Sequence, residues 1–456
     1  MSHATPPPPA HDPYAALRIG NYRRYLQGSF FALIGRQAVV AVALWQVYQW
    51  THSSTALGLV GLVNVLPLIA LSLPAGALAD RYDRRKLIAA GTALTALINV
   101  ALAALSYWDQ AVPPLDILRW ANAGLAQLAS VFERHAEPGA LSFDHPALPL
   151  IYLLLLIQGC VRILIWPARS SITPLLVPPT AMTNAITWNA STFEIATVAG
   201  PALGGFLTAG LGVPAVYALA AGLEMTFFFA LRRVTYFTAP TRATGRRSWR
   251  DMLAGGEFIW KKKVILGASS LDMFAVLLGG ATALLPVYAD QILHVGPIGF
   301  GWLRAAPSLG AFAMAMWVAH RAPFARPGLA LLWSVAGFGV AIVVFGLSKW
   351  FWLSLVALFF TGAFDNVSVV VRQTLVQLLT PDSLRGRVTA VNQIFIGSSN
   401  EIGALRAGLM SAMIGPVGAV VWGGLGTLAV TAAIARAIPP LRRLPALHTL
   451  KPDDSA

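Results

Sequence analysis

Charged residues are scarce in this 456-residue chain, and acidic residues are the scarcest of them. Asp, Glu, Lys and Arg make up 11% of the sequence, against roughly 25% in soluble domains. The single cysteine, Cys160, excludes disulfides within the chain and metal sites built on cysteine clusters. The sequence also lacks a Gly-x-x-x-x-Gly-Lys-Ser/Thr loop, so we do not expect ATP to drive its function directly.

Long hydrophobic stretches stand where a soluble protein would carry charge. Hydrophobic residues make up 56% of the chain, and the mean hydropathy is +0.65. Twelve stretches of roughly 18–25 mostly apolar residues are long enough to cross a ~30 Å hydrocarbon layer as helices. We number them spans 1 to 12, at about 26–50, 56–79, 87–107, 149–168, 183–209, 213–231, 264–289, 297–319, 328–347, 351–378, 388–413 and 416–437. The sequence therefore predicts an all-α integral membrane protein.

Basic residues are sorted between the two sides of the predicted membrane. Five basic residues fall well inside spans, and only Arg119, Arg134 and Lys349 lie on the predicted outer side. All the others lie on the opposite side, in tails, in loops or at span ends. Loops rich in Lys and Arg stay in the cytoplasm, so we expect both termini there, in a multi-pass protein of a cell inner membrane. The net charge of +14 forms no stripe of basic and aromatic residues. The expected partner of these charges is the lipid bilayer and not nucleic acid.

Two polar segments organise the chain. A basic segment at 232–263 separates six spans from six and is predicted to be a cytoplasmic linker. The other predicted units are an N-terminal tail at 1–25, an N-terminal bundle at 26–231, a C-terminal bundle at 264–437 and a tail at 438–456. An outer insertion at 108–148 has leucines at helical spacing, which predicts an amphipathic helix on the membrane interface. A lid over a transport path is its alternative role.

The two halves of the chain resemble each other. A shift of 203 residues aligns three pairs: Arg169 with Arg372, Pro178 with Pro381, and Asn189 with Asn392. The same shift maps spans 4 and 5 onto spans 10 and 11, as a repeated six-helix bundle requires.

The turn between spans 2 and 3 carries the most specific motif, Gly76-Ala-Leu-Ala-Asp80-Arg81-Tyr-Asp-Arg84-Arg85-Lys86-Leu87. A small residue lets two helices approach, and an aspartate can meet a helix N-terminus or an arginine. The motif resembles the loop signature of the major facilitator superfamily, although Asp83 stands where glycine is commonest. This resemblance implies two pseudo-symmetric six-helix bundles, and a latch that closes the outward-facing state, formed by Gly76, Asp80, Arg81, Arg84 and Arg85. A solvated run of charges is the alternative.

Span 5 contains a second motif, Ala199-Gly200-Pro201-Ala202-Leu203-Gly204-Gly205. Proline removes a backbone donor and glycines form a flat, close-packing face, so a packing kink is one interpretation. The motif also resembles the helix-5 motif of exporters in the superfamily, which implies efflux. The segments 380–388 and 399–403 resemble the enterobactin-exporter-like, drug-efflux branch. Span 4 departs from the exporter pattern, because Leu155 stands where the buried arginine would be and Arg162 lies further along.

Ionisable side chains at bilayer depth are costly unless paired or wetted, so each is a functional candidate. The resembled fold lines its central cavity with spans 1, 4, 7 and 10. The candidate substrate and coupling residues are therefore Arg36, Arg162, Asp272 and Asp365, with Arg304 of span 8. The repeat puts Arg162 opposite Asp365, and Arg36 and Asp272 lie at similar depth, so we predict these two pairs when the cavity is empty. Fixed ion pairs that close the bundle interface are the alternative. The other charges in the spans are predicted to be structural: Glu194, Glu224, Arg372, Glu401 and Arg406.

These features favour a secondary active transporter that works by alternating access, as a monomer, on a small organic compound. Proton-coupled efflux of a siderophore-like or amphipathic drug-like molecule is the leading interpretation, with Asp272 or Asp365 carrying the proton. Arg36 and Arg162 favour an anionic substrate, whereas a cationic drug could engage the two aspartates. The alternatives are an uptake carrier and a non-transporting receptor or scaffold. An enzyme is not expected, because the eight histidines have no ligand spacing. No cofactor or metal is expected beyond a proton gradient.

Overall fold

The computed structural model describes residues 12–109, 112–113, 115–133, 142–237, 256–321 and 324–445. The side chains of Leu73, Asp382, Ser383, Arg385, Gly386 and Ala390 are not described, which leaves out part of the 380–388 motif. Most of the predicted linker at 232–263 lies outside the described residues. Spans 1 to 6 are Gly20–Thr51, Ser54–Arg81, Arg84–Tyr107, Leu148–Ile172, Met182–Leu211 and Val213–Arg232. Spans 7 to 10 are Lys263–Gly279, Gly296–Ala319, Pro327–Leu347 and Phe351–Leu379.

The last two spans form one helical stretch, Asp382–Ala437, that is interrupted at Gly415. Gly415 has φ 79° and ψ 160°, a conformation open to glycine, and Pro416 follows it. This residue therefore separates span 11 from span 12. The prediction of twelve membrane helices is confirmed by this architecture.

Ten helical segments among the described residues are long and apolar enough to cross a membrane. The last of them contains both span 11 and span 12. Span 8, a helix of 24 residues, is the remaining member, and it is packed between spans 5 and 10. The chain is therefore a multi-pass membrane protein.

Helix ends are set by local side chains. The Ser53 hydroxyl accepts a hydrogen bond from the Ala56 N–H at the start of span 2, and the Asp83 carboxylate accepts one from the Lys86 N–H at the start of span 3. These are N-caps that satisfy backbone donors left free by the helix. The connections between spans 1, 2 and 3 are only two residues long, at 52–53 and 82–83. Such short connections place consecutive spans antiparallel to each other.

The spans pack as two groups of six. In the first half, span 1 packs on spans 5 and 6, and span 3 on spans 4 and 6. In the second half, span 10 packs on spans 8 and 9, and span 7 on the 11–12 segment. The main contacts between the groups are span 2 with the 11–12 segment and span 5 with span 8.

The two bundles meet at one end. We call the side of the turns 82–83 and 380–381 the basic face, and the side of 52–53 and Gly415 the opposite face. One described core cluster contains residues of both bundles, and its members lie toward the opposite face, for example Val47, Leu57 and Leu285. The clusters toward the basic face each belong to one bundle. The bundle interface is therefore closed at the opposite face.

The outer insertion contains a helix, Asp116–Phe132, which contacts spans 2 and 4 and the 11–12 segment. The Glu133 carboxylate at its end accepts hydrogen bonds from the Ser53 hydroxyl (2.6 Å) and the Thr55 N–H (2.7 Å). Ile117 and Trp120 are exposed on its outer side. This helix is thus anchored by a polar contact to the turn between spans 1 and 2 and keeps an apolar face outward.

Candidate functional site

An ion pair joins the two bundles near the middle of the spans. The guanidinium of Arg162 in span 4 lies 3.5 Å from the carboxylate of Glu401 in span 11. The two side chains retain 34% and 22% of their surface, so the pair is partly open. Asn64 in span 2 is in hydrogen-bonding range of the same carboxylate. One acidic residue therefore connects the two bundles at the centre of the molecule.

A second arginine acts on this carboxylate. Arg304 in span 8 is half-buried, and Glu401 is the charged group that acts on it among the described residues. Arg162 and Arg304 belong to different bundles. Glu401 thus interacts with one cation from each bundle, and the three residues with Asn64 form the cluster that we call the central charge cluster.

Glycine in span 2 allows this approach. A Cβ at Gly61 would lie 2.6 Å from the Glu401 carbonyl oxygen and 2.9 Å from the Ala404 Cβ. Both distances are too short for a side chain, so only glycine lets the backbones of spans 2 and 11 come this close. The close approach carries the Glu401 side chain across the bundle interface to Arg162.

The predicted pairing of Arg36 with Asp272 is wrong. Arg36 lies 3.8 Å from Glu224 of span 6, within its own bundle, and the Glu224 side chain is 1% exposed. Span 1 packs directly on span 6, so the acidic group nearest to Arg36 comes from that neighbour. Glu224 is therefore buried with Arg36 as its counter-charge.

The predicted pairing of Arg162 with Asp365 is also wrong. Asp272 lies 3.2 Å from Arg372 of span 10, and both side chains are buried. Asp365 precedes Arg372 by two helical turns and lies on the same helix face. Its charge interacts with those of Asp272 and Arg372. The C-terminal bundle thus holds two carboxylates and one guanidinium together, and we call these three residues the acidic cluster. Arg372 also donates to the Asn392 side chain at 3.2 Å.

Arg406 supports a break in span 7. The helix ends at Gly279, and a 3₁₀ turn and a π turn continue the span to Ile292. The Arg406 Nε donates to the Leu277 carbonyl at 2.8 Å, and another guanidinium nitrogen donates to the Leu278 carbonyl. Carbonyls freed at a helix end need such donors at bilayer depth. The predicted structural role of Arg406 agrees with these contacts.

The side chains of the turn between spans 2 and 3 bond within the N-terminal bundle. Arg84 donates to the Ser171 carbonyl at 3.1 Å, and Arg85 donates to the Val234 carbonyl. A Cβ at Gly76 would have no atom within 4 Å. Arg84 and Arg85 therefore bond within their own bundle and Gly76 faces open space in this conformation, and the latch stays a prediction.

The span 5 motif packs in two directions. Gly200 and Gly204 face span 1, where a Cβ on Gly200 would lie 2.8 Å from the Ile34 carbonyl oxygen. Gly205 faces span 8, where a Cβ on Gly301 would lie 2.7 Å from the Pro201 carbonyl oxygen. The motif is thus a packing surface that includes the contact between bundles.

Three ion-pair partners were predicted to be structural only, namely Arg372 of span 10, Glu401 and Glu224. Glu401 and Glu224 lie in spans 11 and 6, outside the set expected to line the cavity. A signal was present for Glu401, because it belongs to the segment 399–403, which carries part of the resemblance to the exporter branch. No comparable signal singles out Glu224 as the partner of Arg36.

Two helical bundles joined at one end, with charged groups between them at mid-span, define a membrane transport fold. The chain belongs to the Major Facilitator Superfamily, whose family model matches residues 26–327. It is 28% identical over 425 residues to the Enterobactin exporter EntS of Shigella boydii serotype 18, with 92% of each chain covered. The same protein of Escherichia coli O139:H28 matches to the same extent.

Solved structures show the same fold at low identity. A bacterial homologue of the human lysosomal transporter Spinster, in an inward-facing and occupied conformation, gives a TM-score of 0.67 at 14% identity, covering 95% of this chain and 99% of that one. A bacterial homologue of the iron transporter ferroportin gives 0.60 at 16% identity in its inward-facing state, covering 91% and 99%. Its outward-facing structure gives 0.54 at 15% identity, covering 91% and 98%.

Proposed function

We propose that this protein is a secondary active transporter that exports a small organic compound by proton-coupled alternating access. The observation that carries the proposal is the partly open charge cluster between two bundles that meet at one face. A binding site at mid-span between two such bundles can be exposed to each side in turn when the bundles rock. Relatives named as exporters over 92% of the chain support efflux of a siderophore-like or drug-like molecule.

The basic face is the cytoplasmic one in this proposal. Cytoplasmic loops carry the excess of Lys and Arg, and the turns with Arg84, Arg85 and Lys262 lie on this face. The conformation described here is then inward-facing, closed toward the outside. The higher TM-score of the inward-facing ferroportin homologue over its outward-facing form is in keeping with that orientation. The transporter acts as a monomer and needs no bound cofactor.

Asp365 is the proposed carrier of the coupling proton. Arg372 is held by Asp272 at 3.2 Å, so the acidic cluster has one more carboxylate than it has guanidinium groups. Two carboxylates that share one cation at bilayer depth cannot both stay charged without cost. Movement of span 10 against span 7 would change how Arg372 is shared and so release or bind a proton at Asp365.

The test is transport into inside-out vesicles, with and without a pH gradient. The substrates are enterobactin and a panel of siderophores and amphipathic drugs. We expect accumulation that depends on the gradient, and Asp365→Asn should abolish this dependence while it preserves substrate exchange. Glu194→Gln removes another half-buried carboxylate of the spans and serves as the matched control.

Accumulation in right-side-out vesicles only would identify an uptake carrier instead. Full gradient-driven accumulation in Asp365→Asn and in Asp272→Asn would place the coupling elsewhere. If none of the compounds moves in either orientation while the purified protein is folded, efflux of this substrate class is wrong.

A further inference from the structure

The central charge cluster holds more positive than negative charge. Arg162 pairs with Glu401 at 3.5 Å. Arg304 interacts with the charge of the same carboxylate and forms no ion pair of its own within 4 Å among the residues that the structure describes. An arginine at bilayer depth without a counter-charge of its own is costly. The cluster is therefore short of one anion.

The two arginines whose charges act on Glu401 belong to different bundles. Arg162 belongs to span 4 and Arg304 to span 8, and Glu401 is held at the bundle interface by the close contact at Gly61. A group bound by both arginines would consequently bridge the bundles. The partial exposure of Arg162 and Glu401 leaves room for a ligand to reach them.

We propose that the central charge cluster is an oxyanion site that receives the carboxylate, or a comparable planar oxyanion, of the transported compound. Guanidinium groups give forked, charge-assisted hydrogen bonds to such oxygens. In the empty transporter, Glu401 holds Arg162 in place of the ligand. This inference rests on the proposed transport function and names the chemical class of its substrate.

Glu401 competes with the incoming anion in this arrangement. The ligand must take Arg162 from Glu401 or share it, so loss of the Glu401 charge should strengthen anion binding. This sign is distinctive, because a mutation that only damages the fold weakens binding. The Glu401→Gln variant keeps the size of the side chain and its ability to bond Asn64.

The probe is 1-naphthoate, with the neutral 1-naphthamide as its isostere, in equilibrium dialysis against the purified protein in nanodiscs. Binding to empty nanodiscs is subtracted. The parent protein should prefer the carboxylate to the amide. Glu401→Gln should raise naphthoate affinity on the order of tenfold, within the usual range of coupling free energies in proteins, and should leave naphthamide affinity unchanged.

The arginine variants test the other half of the site. Arg304→Gln should remove the preference for the carboxylate, and Arg304→Lys should retain part of it because the charge remains. Glu194→Gln, which removes a half-buried carboxylate of span 5, should bind both probes like the parent. Size-exclusion elution and thermal unfolding identify any variant that is not folded.

Equal affinity of the parent for naphthoate and naphthamide would overturn the inference, and so would unchanged naphthoate binding in Glu401→Gln. The vesicle assay separates this result from the wider proposal. Efflux of enterobactin without any preference for naphthoate would leave the transport function standing and reject the oxyanion site. A clear preference without transport of any compound would reject the efflux proposal and keep the site.

Discussion

Replacement of Gly408 by alanine should shift the protein away from the conformation that is closed at the opposite face. Gly408 in span 11 meets Gly58 in span 2 across the bundle interface. A Cβ on Gly408 would lie 2.6 Å from the Gly58 Cα and 2.6 Å from the Ser54 carbonyl oxygen. These neighbours are backbone atoms and cannot turn away as a flexible side chain could.

The size of the effect follows from the geometry. An added methyl group needs the two helices to separate by roughly 1 Å or to strain, and overpacking of this kind costs about 1–3 kcal/mol. The strain exists only where spans 2 and 11 touch at this face. If the strain destabilises only the conformation closed at the opposite face, the population ratio of the open to the closed conformation should rise by about 5-fold to 140-fold, at about 1.4 kcal/mol for each factor of ten.

Spin-label distances give the measurement. Cys160 is the single native cysteine, so a Cys160→Ala background allows labels at Leu211 and Lys349. Both positions are exposed, one at the end of span 5 and the other before span 10, in opposite bundles at the opposite face. Double electron–electron resonance should detect a longer distance in Gly408→Ala that is rare in the parent.

Gly222→Ala is the matched control for this variant. Gly222 lies in span 6, and a Cβ there would have no atom within 4 Å. Alanine is favoured over glycine inside helices by roughly 1 kcal/mol, so this variant should fold well and keep the parental distances. A Gly408→Ala protein whose distance distribution matches the parent would refute the reasoning that this contact closes the opposite face.

Three further predictions concern single residues. Asp80→Asn should leave membrane insertion intact and shift the balance between inward- and outward-facing conformations, because it removes the charge of the predicted latch. The measurement is the accessibility of engineered cysteines to reagents added on each side of the membrane. Unchanged accessibility with normal transport would remove Asp80 from the latch. Arg36→Ala should lower the free energy of unfolding, followed by thermal unfolding, by about 3–5 kcal/mol because it removes the ion-pair partner of the buried Glu224 carboxylate. The lost stability should return when Glu224→Gln is added, and Arg36→Lys should lower the stability less than Arg36→Ala does. An Arg36→Ala protein as stable as the parent would show that the ion pair does not stabilise the fold. Glu133→Gln should increase hydrogen exchange in the outer helix, since its carboxylate accepts two hydrogen bonds from the turn between spans 1 and 2, and protection equal to that of the parent would contradict this anchoring role.

The sequence was sufficient to predict the helices and the fold. Long apolar stretches without charge must form helices in a bilayer, because their backbone groups have no water to bond. The motif between spans 2 and 3 and the resemblance between the halves then favoured two six-helix bundles. The amphipathic pattern around Leu118 and Leu125 likewise predicted the outer helix Asp116–Phe132.

Tertiary structure decided which charges meet. The shift of 203 residues relates Arg162 to Asp365 as equivalent positions, but symmetry places equivalent residues in equivalent surroundings and not in contact with each other. Asp365 lies on the same helix face as Arg372, whose guanidinium pairs with Asp272 of span 7 in the same bundle. Arg162 finds Glu401 instead, since Gly61 lets span 11 approach span 2. Helix rotation and the distance between helix axes fix such pairs, and neither can be read from the order of residues along one chain.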